Sequence, residues 1–135
     1  MHGKILLVKN MKIIDANIVL RYVLNDHEEL SLKAAEIIEN QSVLLPIEAA
    51  CEVVYVLQKV YHVDKSDIED KLRKLVNEGL IDLDKPDVFL KVLECYASKS
   101  FDFVDTLLWA YHAVEQHDII TFDEKLSKYI QRTSF

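Results

Sequence analysis

Glycine, proline and cysteine are scarce in this 135-residue chain, two of each, and basic residues number only 16 against 23 acidic ones. Scarce glycine argues against sandwiches and barrels, which spend it on tight turns, and for a helix-rich fold with short connections. Cys51 and Cys95 lie in apolar helical patterns and form no C-x-x-C pair. They are expected to be buried free thiols in a reducing cytosol, so the expected location is cytoplasmic. The formal charge of −7 argues against a sequence-independent grip on phosphate backbones. No apolar run approaches the roughly 20 residues of a membrane span, and GKILLVKN, a short run flanked by lysines, is no secretory leader. None of the five histidines stands at zinc-ligand spacing from a cysteine or an acid.

What is present is enough apolar sequence, half of all residues, for one self-sufficient core. Residues 1–10 read as an N-terminal extension ahead of Met11, either an added strand or disordered, and residues 11–135 as a single domain. IIDANIVLRYVL passes from a β-branched strand to a helix between Asp15 and Asn17. HEELSLKAAEIIEN spaces its apolar residues as an amphipathic surface helix. SVLLP is a short strand stopped by Pro46, and PIEAACEVVYVLQKVYH, with almost no polar face, reads as a central helix. KSDIEDKLRKLVNEGL is a further amphipathic helix, capped by Ser66 or Asp67 and closed at Gly79. Residues 80–83 then read as a strand, 85–100 as a helix, DFVDTLLWAYHAVEQH as a helix, DIITF as a strand, and DEKLSKYI as a last helical turn or two. This alternation predicts an α/β protein, a three-layer α/β/α sandwich around a short, mostly parallel sheet.

Ligands of such sheets bind beyond the carboxyl ends of the strands. Asp15 and Asp123 follow two predicted strand ends, and Asp105 and Glu52 lie on helices that can converge on the same rim. Carboxylates gathered there would repel one another unless cations neutralised them. Magnesium suits an all-oxygen set of this kind, and paired ions can orient a water and stabilise the leaving oxygen of a phosphodiester. Each acid also has a structural explanation. Asp15 is a suitable helix cap, Thr121 and Glu124 have capping-box spacing around Asp123, and Asp102 with Asp105 repeats that spacing. Glu52 is harder to explain structurally, with apolar residues at 49, 53, 56 and 57; Glu48 is its rival, although its first-turn position favours a carboxylate in any case.

Taken in order, MKIIDANIVLRYVL, AACEVVYVL, DFVDTLLWA and IITFDEKL resemble the four motif blocks of PIN-domain nucleases, most closely the VapC-type toxin ribonucleases. The resemblance covers nearly the whole chain. It implies a PIN-like fold and a Mg2+- or Mn2+-dependent endoribonuclease, with Asp15, Glu52, Asp105 and Asp123 as metal ligands and catalytic residues. Asn17 and Thr121 fall on the family's small polar positions, and Asp102 is assigned to shaping the helix that presents Asp105. RNA as substrate, a homodimer and a small antitoxin partner are implied in the same way. The third block departs from the usual D-A-L, since Thr106 follows Asp105.

The charge objection weakens under this reading. Two bound Mg2+ ions would offset the four carboxylates and take the formal charge from −7 to −3. Lys12, Arg21, Lys125 and Lys128 are then the candidate contacts to RNA. Two other readings stay open: a non-catalytic metal-binding interaction module on the same fold, and a phosphoryl-transfer domain with aspartates at strand ends. The second lacks the D-x-D pattern, because Asn17 stands where the second acid would be.

Overall fold

The computed structural model describes residues 11–98 and 102–133; the expected extension over 1–10 lies outside the described residues. The chain divides into two compact units, one ending at Pro86 and the other beginning at Asp87. Strands β1 (Lys12–Ile13), β2 (Val43–Leu45) and β3 (Asp82–Leu83) all lie in the first unit, with helices α1 (Ala16–Leu24), α2 (Glu28–Asn40), α3 (Ile47–Lys59) and α4 (Lys65–Asn77) between them. The sheet is wholly parallel in the order β1-β2-β3, with Lys12 opposite Val43 and Leu45 opposite Leu83. Parallel neighbours need long crossovers, and each pair of helices supplies one. Val43 and Leu45 are fully buried in the central strand, and Val19, Ile38, Val54, Leu57 and Ile68 complete the core of this unit.

Because the strands run the same way, their carboxyl ends share one rim. Asp15 follows β1, the start of α3 follows β2, and Asp84 follows β3. Pro46, the N-cap of α3, makes no side-chain cap bond. Instead the Oδ1 of Asp84 accepts the backbone N–H of Ile47 at 2.9 Å, satisfying a free donor of α3 from across the sheet. Asp84→Ala is expected to cost about 1 kcal/mol, as loss of a helix cap does, read as a lower midpoint in urea with unchanged slope. An unchanged midpoint would show that water replaces the carboxylate at no cost.

At the other end of this unit, α4 closes through Gly79. Its φ of +72° is the left-handed conformation that glycine adopts without penalty, and it lets the N–H groups of Gly79 and Leu80 bond back to Val76 and Leu75. The cap at the start of α4 differs from expectation. The N-cap is Asp64, not Ser66 or Asp67.

Helices α5 (Pro86–Ser98), α6 (Phe103–Glu115) and α7 (Glu124–Arg132) form the second unit, with Pro86 at the boundary. Phe89, Val92, Leu93, Trp109 and Leu126 are buried in it. The indole N–H of Trp109 donates to the Thr133 hydroxyl at 2.8 Å, and its ring lies 5.4 Å from that of Tyr129. Tyr129 in turn sits 3.6 Å from the Cys95 sulfur. Cys51 and Cys95 are both free and half-buried; burial, with help from Glu48, pushes the Cys51 thiol up to about 11, which keeps it protonated and inert.

Two expectations are corrected here. Residues 118–122 form no strand: β-branched sequence needs an adjacent edge to pair with, and the described part of this unit contains only helices. Nor is α3 apolar all round. Glu48, Glu52, Tyr55 and Lys59 form an exposed stripe at spacings of three and four, while Ala50, Val53, Val54 and Leu57 face inward. The last helix is longer than expected, nine residues. Among the described residues no helix is long and apolar enough to cross a membrane.

Candidate functional site

In the first unit Asp15 ends the extended segment of β1 and caps α1, its Oδ1 accepting the Ile18 N–H at 3.3 Å. Capping uses one carboxylate oxygen. The other, Oδ2, makes no hydrogen bond among the described residues and is held in place by its partner's bond. Asn17, the second residue of α1, is exposed. Glu52 is also exposed, on the outer stripe of α3, and makes no hydrogen bond or ion pair among the described residues. The apolar neighbours at 49, 53, 56 and 57 therefore do not enclose it. They flank it along the helix, and its carboxylate is free to take a cation from solvent.

The second unit brings three of the expected residues into electrostatic contact. Asp105, at the third position of α6, is half-buried, and its carboxyl is raised above the ordinary range, first by burial and then by the charges of Asp123 and Asp102, with Lys125 opposing. Asp102 occupies the N-cap of α6 as expected, but its side chain makes no cap bond. Thr106 does the work of fastening that turn, its hydroxyl donating to the Asp102 carbonyl at 2.9 Å. Asp123 caps α7 through Oδ1, which accepts the Leu126 N–H at 2.9 Å. Thr121 is not the cap in a box with Glu124. Its hydroxyl accepts the Asp123 N–H at 3.0 Å, fixing the backbone that carries the aspartate.

A raised carboxyl is one whose charged form the fold disfavours. The penalty is absent below its unfolded value and grows as pH rises through the folded value. Asp123→Asn removes one of the like charges, so the Asp105 carboxyl is expected to titrate lower, toward its ordinary range, in a 13C-detected NMR titration. A titration that does not move would separate the two acids.

Each unit's donors suit a hard divalent cation, being carboxylate oxygens throughout: Asp15 in the first unit and Asp123 in the second each have one oxygen oriented by a cap, and Asp105 is under like-charge pressure from Asp123 and Asp102. Among the described residues no group of three or more His, Cys, Asp or Glu side chains is gathered within either unit as a finished cage. Magnesium does not require one, since it retains waters and takes one or two carboxylates at a time. Of the candidate RNA contacts, Arg21 is largely committed, to Asp26 at 2.7 Å and the Tyr61 hydroxyl at 3.1 Å. One residue escaped the sequence reading. Phe122, expected within a strand, is fully exposed next to Asp123, and its placement depends on that strand not forming.

No curated protein and no solved structure matches the chain. The PIN domain family model matches residues 12–130, a span that contains Asp15, Glu52, Asp105 and Asp123 and nearly all of both units. The α/β fold with its short parallel sheet agrees with that match, and the chain belongs to the PIN-domain family, whose fold is of nuclease type.

Proposed function

We propose that the protein is a metal-dependent endoribonuclease in which Asp15, Glu52, Asp105 and Asp123 hold Mg2+ or Mn2+. PIN domains are generally nucleases and usually use divalent metal ions. The observation that carries the reading for this chain is Asp105, whose half-buried carboxylate faces the charges of Asp123 and Asp102 with only Lys125 in opposition. A fold that tolerates such repulsion has a use for a cation. When bound, a divalent cation would polarise the attacking water and neutralise the phosphate. The chain's own contribution is orientation. Caps fix one oxygen of Asp15 and of Asp123, Thr121 fixes the Asp123 backbone, and exposed Asn17 offers an amide donor to a phosphate oxygen.

The finer reading is a VapC-type toxin, acting as a homodimer and restrained by a small antitoxin, and it rests on the order of the four motif blocks. RNA cleavage with Mg2+ or Mn2+, abolished by EDTA, is the test. Divalent binding without cleavage of any RNA would favour the non-catalytic interaction module instead.

A further inference from the structure

Beside the acid pair, two large apolar side chains stand in water: Ile120 is 98 % exposed and Phe122 is 104 % exposed. Between them Thr121 is half-buried, its hydroxyl accepting the Asp123 N–H. Single exposed apolar residues are ordinary, but neighbouring ones beside a concave site mark binding surfaces. Phe122 borders a surface cleft of about 520 Å3, which Thr121, Asp123, Glu124, Ser127, Lys128 and Gln131 also line. Ser127, Lys128 and Gln131 lie on one face of α7, and Lys128 forms no ion pair among the described residues.

The chemistry of the lining selects the occupant. A protein surface would call for further apolar lining, yet among the described residues Phe122 is the one apolar side chain in the cleft. Asp123 and Glu124 put two carboxylates at one side of the cleft, where base or sugar N–H and O–H donors can reach them; the aromatic face, the cation, the hydroxyl and the amide match an unpaired nucleotide, whose base stacks and whose phosphate pairs with the ammonium. We propose that this cleft binds one unpaired nucleotide of the RNA substrate beside the scissile phosphate, its base stacked on Phe122 and its phosphate against Lys128. The inference rests on the ribonuclease reading but is tested by binding rather than turnover.

The experiment uses the full chain in EDTA, with a fluorescein-labelled single-stranded octa-adenylate RNA followed by anisotropy across a salt series. Phe122→Ala is expected to weaken binding about five- to a hundred-fold, the loss of one base stack, and Phe122→Trp to restore it. Lys128→Gln should reduce the slope of log affinity against log salt by about 0.7, one phosphate contact on a single strand. Both side chains are exposed, so circular dichroism should be unchanged. The proposal falls if the parent does not bind the octamer, or if both variants bind as the parent does. It falls equally if Phe122→Ala leaves RNA affinity intact but dissociates a dimer in sedimentation, since the patch then belongs to a second copy. Absence of cleavage by a parent that binds the octamer through Phe122 would instead overturn the ribonuclease reading.

Discussion

Asp105→Asn is expected to lower divalent-dependent RNA cleavage on the order of a thousandfold or more while the protein folds as before. The substitution is nearly isosteric, so the half-buried site loses charge without losing volume. Two opposing effects bear on stability. At the third position of α6 a carboxylate gains from the helix's positive end, roughly 0.3–1 kcal/mol. Burial and the charges of Asp123 and Asp102 oppose it, and the raised carboxyl means that opposition wins. Above the folded pKa, therefore, the parent bears a cost that asparagine removes, and Asp105→Asn should unfold at the same temperature or higher near neutral pH. At low pH, where the parent carboxyl is protonated in both states, the difference vanishes. A purified Asp105→Asn protein that cleaves like the parent would remove Asp105 from the site. One that loses activity together with its fold would make it structural.

The legibility of this chain followed the range of the interactions involved. Caps and periodicity act within one or two helical turns, so Asp15 and Asp102 fell at helix starts as expected and Gly79 fell at a helix end. Asp84 was invisible by the same logic. It caps α3 from the far side of a crossover, and nothing in PIEAAC points to a partner so distant in sequence. The surroundings of Glu52 differ from expectation because a run of apolar residues says how much of a helix is buried but not which stripe; the exposed line from Glu48 to Lys59 lies opposite the buried Ala50, Val53, Val54 and Leu57. DIITF forms no strand because strand propensity is a statement about fit to a neighbouring strand, and its own unit offers none among the described residues. The expectation of a strand there also hid Phe122.

The most decisive substitutions are those that separate capping from ligation at Asp15 and Asp123. In the sequence these roles compete, because aspartate before a helix is explained by either. In the structure they are compatible: one oxygen accepts a backbone N–H, from Ile18 or from Leu126, and the other makes no hydrogen bond among the described residues. Asparagine caps helices about as well as aspartate, whereas alanine loses about 1 kcal/mol. Asp123→Asn should therefore melt as the parent does yet lose cleavage on the order of a hundredfold or more. Asp123→Ala should lose both, and the Asp15 pair should behave alike. If the asparagine variants keep their activity, the carboxylates serve α1 and α7 alone, and the metal must be sought elsewhere. If they lose it at unchanged melting temperature, the cap is the device that aims the ligand, because the bond that starts each helix also fixes the orientation of the free oxygen.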